Sequence, residues 1–195
     1  MLADFLRLIK GFILFIGPSA AGKTSILRRL VTGNFEHQEP TLGFSEENIA
    51  KVRIIEIGGQ ASFRKHWEVA LEQNPIHIFY VIDVTKNSDY DEYVEFIEQH
   101  QDTYPEIKEK IVLTANKMDL TNTSPTHLKD VNSLIKCSAK TGEGMLDILE
   151  LIASHKNEAE AIKRRIEPVK EILLNDKNEE EERIESILKE FQNKF

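Results

Sequence analysis

The strongest signal in the sequence is the segment 17–24, which reads Gly-Pro-Ser-Ala-Ala-Gly-Lys-Thr. It matches the pattern G-x-x-x-x-G-K-[ST] at every required position, with an apolar run before it and a helix-forming stretch after it. Its glycines let backbone N–H groups turn toward phosphate oxygens, and the N-terminus of the following helix adds a partial positive charge. The sequence therefore predicts a phosphate-binding loop between a buried strand and a helix.

We expect two side chains of this loop to act directly on a nucleotide. Lys23 should reach the β- and γ-phosphates, and the Thr24 hydroxyl should ligate Mg²⁺. The alternative is a glycine-rich turn with an incidental Lys-Thr pair. The predicted phosphate-binding residues are Gly17, Ala20, Ala21, Gly22, Lys23, Thr24 and Ser25.

Short apolar runs rich in β-branched residues alternate with helix-period stretches along the chain. The runs are nearly continuous, as expected for strands that are buried on both faces. They span 12–16, 52–57, 76–83, 111–115 and 134–137, and the helical stretches span 23–32, 62–71, 88–101 and 125–131. This alternation predicts an α/β fold, with a mostly parallel sheet and helices on both faces. One extra strand, near 41–46, should form a hairpin with 52–57 through a polar turn near Glu47 and Asn48.

Two further motifs indicate which base the nucleotide carries. Asn116-Lys117-Met118-Asp119 follows a buried run, at the end of the strands where α/β sheets bind ligands. A carboxylate there accepts from both the ring N–H and the exocyclic amine of guanine, a pattern that adenine lacks. Alone, each motif could be a surface turn, but their order after the loop at 17–24 favours a GTP or GDP site. The predicted base-binding residues are Asn116, Lys117 and Asp119, with Ser138, Ala139 and Lys140 from the later segment Cys137-Ser138-Ala139-Lys140.

With these motifs in this order, residues 12–155 resemble the small GTPases of the Ras-like superfamily. Pro40-Thr41-Leu42-Gly43-Phe44 and Gly58-Gly59-Gln60 are most similar to the ADP-ribosylation factor (Arf) branch and its relatives, which include the signal-recognition-particle receptor β subunit. The resemblance implies a six-stranded sheet and a GTP/GDP molecular switch. It also implies that Thr41 ligates Mg²⁺ in the GTP state, that the Gly59 N–H contacts the γ-phosphate, and that Gln60 orients the attacking water. Gln60, Lys23 and Thr41 are thus the candidate catalytic residues.

The chain departs from the Arf pattern in three places. Glu56 stands where the family has Asp, and we expect this carboxylate to hold Mg²⁺ through a water, a contact that the extra methylene can displace. Ile55 replaces the family's tryptophan. The interval from Thr41 to Glu56 is several residues shorter than is usual in Arf-type proteins, which weighs against the interswitch register shift of that family.

The segment around Thr41, which is called switch I in this superfamily, bears on the rate of hydrolysis. No arginine occurs between Leu30 and Val52, so this segment cannot supply an arginine finger in cis. With Gln60 alone we expect slow intrinsic GTP hydrolysis, on the order of 10⁻³ s⁻¹ or less. Such an enzyme serves as a switch that is reset by an activating protein, loaded by an exchange factor and read by effector proteins. The alternative is a binding module that holds GTP constitutively as a structural cofactor.

The two ends of the chain have open interpretations, and so does the helical segment after Gln60, which is called switch II in this superfamily. Residues 1–11 are expected to form an amphipathic segment that packs on the protein or makes weak peripheral contact with a membrane. The extension 156–195, which follows the GTPase domain 12–155, carries an apolar stripe that folds back, pairs with another helix, or stays partly disordered. Phe63 and Trp67 share one helical face, either exposed to an effector or packed on the sheet.

Composition excludes several classes of protein. The 41% hydrophobic and 30% charged residues are a globular balance. The net charge of −8 weighs against nucleic acid as a partner. A single cysteine, Cys137, excludes an internal disulfide framework, and the chain contains no long apolar span, so we expect a cytoplasmic protein, with peripheral membrane contact left open.

Overall fold

The computed structural model describes residues 11–36, 38, 41–49, 52–121, 128, 131 and 133–154. The first ten residues and the predicted extension 156–195 lie outside this set. So does most of the predicted helix 125–131. The fold below refers to the described residues.

A six-stranded sheet forms the centre of the molecule, as the resemblance implied. The strands are β1 (Phe12–Ile16), β2 (Phe44–Ile49), β3 (Val52–Ile57), β4 (Ile78–Asp83), β5 (Ile111–Asn116) and β6 (Leu134–Lys136). They run in the order β2-β3-β1-β4-β5-β6, and only the pairing of β2 with β3 is antiparallel. The parallel strands bring their carboxyl ends to one edge of the sheet, where ligands bind in folds of this kind.

Helices cover both faces of this sheet, which confirms the predicted α/β fold. The helices are α1 (Lys23–Thr32), α2 (Ala61–Leu71), α3 (Asn87–His100), α4 (Ile107–Lys110) and α5 (Met145–Ala153), with a 3₁₀ turn at Met118–Leu120. The side chains of β1 alternate between two apolar clusters, one shared with α2 and α3 and the other with α1 and α5. Among the described residues, no helix combines the length and apolar character needed to cross a bilayer.

The predicted hairpin exists, but its turn was placed wrongly. Glu47 pairs with Ile54 and Asn48 with Arg53, so both polar residues lie within β2. The strand also begins at Phe44 rather than near residue 41. Because β2 is an edge strand with one partner, its side chains stay largely accessible. Polar residues are therefore tolerated in β2, whereas the same residues next to a strand that is buried on both faces would indicate a turn.

The structure settles the two interpretations of the switch II aromatics in favour of packing. Trp67 is 4% exposed and makes edge contacts with the rings of Tyr80 and Phe96. Phe63 packs partly buried against the same cluster. The guanidinium of Arg64 lies over the indole of Trp67, 5.6 Å from its centre. Trp67 therefore fastens α2 to the sheet rather than presenting an aromatic surface to a partner.

Replacing Trp67 with alanine should remove this anchor. We expect Trp67→Ala to lower the free energy of unfolding by about 3–5 kcal/mol, because a large buried ring leaves a cavity that the sheet cannot close. Urea denaturation followed by circular dichroism measures the change. Leu42→Ala, at a side chain that is 79% exposed, is the control and should stay within about 0.5 kcal/mol. A loss below about 1 kcal/mol for Trp67→Ala would contradict the packing role.

Candidate functional site

A cavity of about 400 Å³ opens at the carboxyl edge of the parallel strands. Most of the residues predicted from the sequence line it together. Gly17, Ala21 and Ser138 are not in the lining, but they are hydrogen-bonded to the lining residues Lys23, Asn116 and Asp119, respectively. Gln60 immediately precedes α2 and also lies outside the lining. The predicted residues in the lining are Ala20, Gly22, Lys23, Thr24, Ser25, Thr41, Glu56, Gly59, Asn116, Lys117, Asp119, Ala139 and Lys140.

The loop after β1 is shaped by close backbone contacts. Gly17 has a φ of +131°, and a Cβ there would lie 2.1 Å from the Val81 carbonyl oxygen of β4. Gly22 has a φ of +95° and sits against the Asn116 side-chain amide, with 2.2 Å between its would-be Cβ and Nδ2. Only glycine fits these two positions, because the conformation and the space both exclude a side chain.

Lys23 is the buried cation of this loop. Its Nζ donates to the Gly17 and Pro18 carbonyl oxygens, at 2.7 Å each, and the residue is only 5% exposed. Burial lowers the pKa of Lys23 to about 8, against an opposing effect of the Glu56 carboxylate. An anion in the cavity would favour the charged form of Lys23, so phosphate binding should raise the pKa of this ammonium.

Asn116 joins the two motifs that were read as a base site. Its Nδ2 donates to the Ala21 carbonyl at 2.9 Å, and its Oδ1 accepts from the Ala139 N–H at 3.1 Å. The Ser138 hydroxyl donates to one oxygen of Asp119 at 2.6 Å. One carboxylate oxygen of Asp119 is thus held by Ser138, and the Asp119 side chain lines the cavity. The order of the motifs in the sequence correctly indicated that they meet.

Asp83 is a site residue that the sequence reasoning missed. Its carboxylate accepts from Lys117 Nζ at 2.7 Å, and the same ammonium donates to the Ala20 carbonyl at 2.9 Å. Burial alone would raise the pKa of Asp83, but hydrogen bonds from Lys117 and Thr85 outweigh it and lower the pKa. The available signal was an acid at the carboxyl end of β4, beside the strand that carries Asn116.

Phe35, Gln38 and Leu120 also line the cavity and were not predicted. Phe35 and Leu120 are 41% and 60% exposed, and their apolar surfaces are available to a flat ligand. Residue type alone would not single them out, because isolated exposed apolar residues are common on protein surfaces.

Oxygen atoms from three segments meet at the phosphate end of the cavity. Thr24 Oγ1 donates to Glu56 Oε1 at 2.6 Å, and Thr41 Oγ1 lies 3.1 Å from the same oxygen. The two threonine hydroxyls are 2.7 Å apart, and Ser45 donates to Glu56 Oε2 at 3.0 Å. Among the described residues, no group of three or more His, Cys, Asp or Glu side chains is arranged to hold a metal ion. Hard oxygen donors of this kind fit a divalent cation such as Mg²⁺.

Gly59 rests against the phosphate-binding loop. A Cβ at this position would lie 2.3 Å from the Gly17 carbonyl oxygen and 2.5 Å from the Ser19 nitrogen. Arg64 donates to the Gly59 carbonyl at 3.3 Å while pairing with Glu92 on α3 at 2.8 Å. Gly59, just before α2, is therefore held close to the cavity by the phosphate-binding loop on one side and by Arg64 on the other.

The family model described as "ADP-ribosylation factor family" (Arf) matches residues 4–156 of the chain. The protein belongs to the Arf family. A Caenorhabditis elegans relative named ADP-ribosylation factor-like protein 3 is 31% identical over 159 residues, covering 73% of this chain and 86% of the relative. ADP-ribosylation factor F of Dictyostelium discoideum is 30% identical, covering 74% and 85%. The human ADP-ribosylation factor-like protein 9 is 32% identical, covering 65% and 67%.

Membership confirms the resemblance drawn from the sequence motifs. Arf-family proteins bind GTP and GDP, are in general GTP hydrolases, and work with regulators and effectors. This chain is an Arf-like small GTPase with the P-loop fold of that family.

We expect the lowered pKa of Lys23 to make nucleotide affinity depend on pH. Bound phosphates stabilise the charged ammonium, so affinity should fall as pH rises through the pKa of the free site, about 8. We expect GDP to bind about tenfold more weakly at pH 9 than at pH 7. Titration with a fluorescent GDP analogue measures the affinity, and calorimetry in buffers of different ionisation enthalpy measures the proton taken up.

A matched variant tests whether exposed lysines contribute to this pH dependence. Lys108→Met removes an exposed ammonium outside the cavity and should keep the same pH slope. An affinity that does not change between pH 7 and pH 9, with no proton uptake, would show that Lys23 is fully charged in the free protein.

Proposed function

We propose that this protein is a Mg²⁺-dependent GTP/GDP switch that hydrolyses GTP slowly and recruits partners in its GTP state. The observation that carries the proposal is the meeting, in one cavity, of a buried ammonium, a cluster of hard oxygen donors and a guanine-type carboxylate. These three groups suit the phosphates, the cation and the base of one nucleotide. We assign the GTPase domain to residues 12–155, the N-terminal amphipathic segment to 1–11 and the C-terminal extension to 156–195.

At the phosphate end, the loop after β1 would bind through its backbone N–H groups and Lys23. The positive end of α1 adds to this attraction, because the first N–H groups of a helix lack partners within it. Thr24 and Thr41 would hold Mg²⁺, and that cation neutralises charge on the phosphates. The full set proposed for this end is Gly17, Ala20, Ala21, Gly22, Lys23, Thr24, Ser25 and Gly59.

At the base end, Asp119 would accept from both guanine N–H groups. The hydrogen bond from Ser138 fixes the orientation of this carboxylate, and Lys140 lies 3.9 Å from its other oxygen. Asn116 ties the loop that holds Ala139 to the phosphate-binding loop, so the base and phosphate subsites keep a constant separation. The backbone N–H groups around Ala139 would face the guanine carbonyl.

Hydrolysis would depend on Gln60 orienting water next to the γ-phosphate. Gln60 immediately precedes α2 and follows Gly59, which lies against the phosphate-binding loop. A shift of this segment into the cavity would complete the arrangement. Without an arginine in switch I, turnover should stay slow until a partner supplies the missing charge.

The segment 41–44 supports the recruitment of partners. Leu42 is 79% exposed and Phe44 36% exposed, next to Thr41 in the oxygen cluster. A nucleotide that changes the position of Thr41 would move these apolar side chains with it. An effector that contacts them would therefore distinguish the GTP and GDP states.

Single-turnover hydrolysis tests the switch directly. We expect the purified protein with Mg²⁺ to convert bound GTP to GDP at about 10⁻³ s⁻¹ or less. Gln60→Leu should slow this by at least about tenfold, because the water is no longer oriented. Gln99→Leu, at an exposed position on α3, is the matched control and should leave the rate unchanged. GTP that persists for many hours, with no effect of Gln60→Leu, would instead favour the constitutively loaded module.

Base selectivity tests the guanine assignment. Asp119→Asn removes the double acceptor, so GTP affinity should fall at least about 100-fold while xanthosine triphosphate gains. Competition against a fluorescent nucleotide gives both affinities. Asp91→Asn, an equivalent change at an exposed site on α3, should alter neither. Retention of tight GTP selectivity by Asp119→Asn would refute the role of Asp119.

A further inference from the structure

Three oxygen atoms at the phosphate end form a nearly regular triangle. They are Thr24 Oγ1, Thr41 Oγ1 and Glu56 Oε1, with sides of 2.6, 2.7 and 3.1 Å. We propose that Glu56 is a direct ligand of the divalent cation, in place of the contact through water expected from the sequence. The inference rests on the proposed binding of a Mg²⁺-nucleotide.

The size of the triangle matches a Mg²⁺ coordination shell. Octahedral ligands at 2.0–2.1 Å from Mg²⁺ lie about 2.9 Å from their neighbours. The three observed sides scatter around this value. Thr24, Thr41 and Glu56 therefore have the spacing of three adjacent ligands, which occupy one face of an octahedron.

Hydrogen bonds alone do not account for all three sides. The two hydroxyls carry one proton each and an ionised carboxylate carries none, so two protons serve three short contacts. One oxygen pair is thus left close together without a proton between them. A cation that faces all three oxygens explains the three distances at once, because each oxygen then directs a lone pair at the metal.

The buried Glu56 carboxylate also lacks a close positive partner among the described residues. The residue is 1% exposed, and no Lys or Arg of the described residues forms an ion pair with it. A buried carboxylate without a positive partner is costly. Lys23 acts on it only at longer range, since its ammonium is bound by two backbone carbonyls.

The length of the side chain decides between direct and water-mediated contact. Glu56 lies in β3, where its backbone is paired with Phe15 of β1 on one side and Ser45 of β2 on the other. Because the sheet fixes the backbone, a shorter Asp would end about 1.5 Å further from the threonine hydroxyls. Ser45 acts as a positioning residue, since its hydrogen bond to Oε2 turns Oε1 toward the triangle.

Direct ligation changes the number of water molecules on the metal. An octahedral ion that takes the two threonine hydroxyls, Glu56 and one oxygen each of the β- and γ-phosphates has one position left for water. Contact through water would leave two such positions. The count of bound waters therefore separates the two arrangements.

Mn²⁺ with a non-hydrolysable GTP analogue measures this count. Water enriched in ¹⁷O broadens the electron paramagnetic resonance lines of bound Mn²⁺ in proportion to the number of water ligands. We expect one water in the natural protein and two in Glu56→Asp. Glu46→Asp, the same shortening at a solvent-exposed ion pair with Arg53 on the neighbouring strand, should keep one water.

The outcomes distinguish this inference from the proposed function. Two waters in the natural protein would overturn direct ligation while leaving a Mg²⁺-nucleotide site in place. An unchanged count in a Glu56→Asp variant that still binds the Mn²⁺ complex would overturn it as well. Failure of the natural protein to bind Mn²⁺ with the analogue would remove the proposed function and the inference together. If Glu56→Asp does not fold, the count for the natural protein decides.

Discussion

The parallel pairing of β1 with β3 and β4 is the constraint on which the site depends. All five residues of β1 are fully buried, so the strand has one stable position in the middle of the sheet. Its register sets Phe15 beside Glu56 on one side and beside Phe79 on the other. The phosphate-binding loop after β1 is thereby brought next to the ends of both neighbouring strands. A slip of this register would separate the ammonium of the loop from the carboxylate of β3.

The cavity holds two buried charges of opposite sign that do not form an ion pair with each other. Lys23 is bound to backbone carbonyls with a lowered pKa, and Glu56 is surrounded by hydroxyls. A cation with a polyphosphate offers each of them the missing partner, because the phosphates face the ammonium and the metal faces the carboxylate. Burial makes both interactions stronger than they would be in water. The same low dielectric that destabilises the separate charges thus favours the complete ligand.

The sequence correctly predicted the elements whose residues are continuously buried. It was less successful for the edge strand and for the helix with one apolar face. The buried runs at β1 and β3 and the helix α1 have the predicted bounds, because continuous apolar runs and the motif before the helix leave little ambiguity. The edge strand β2 was shifted, since its polar residues imitate a turn. Phe63 and Trp67 could not be assigned to core or surface, because a helical apolar face looks the same in either role.

The sequence by itself determined the phosphate-binding loop, the guanine-type motif and the alternation of strands and helices, because each is written in a few consecutive residues. The tertiary structure alone decided the contacts between segments that are distant along the chain. Asp83 reaches Lys117 across 34 residues, and Glu56 reaches Thr24 across 32. Such pairs depend on strand register and on side-chain length. The contacts of the longer acid Glu56 with Thr24 and Thr41 could therefore not be predicted from its residue type.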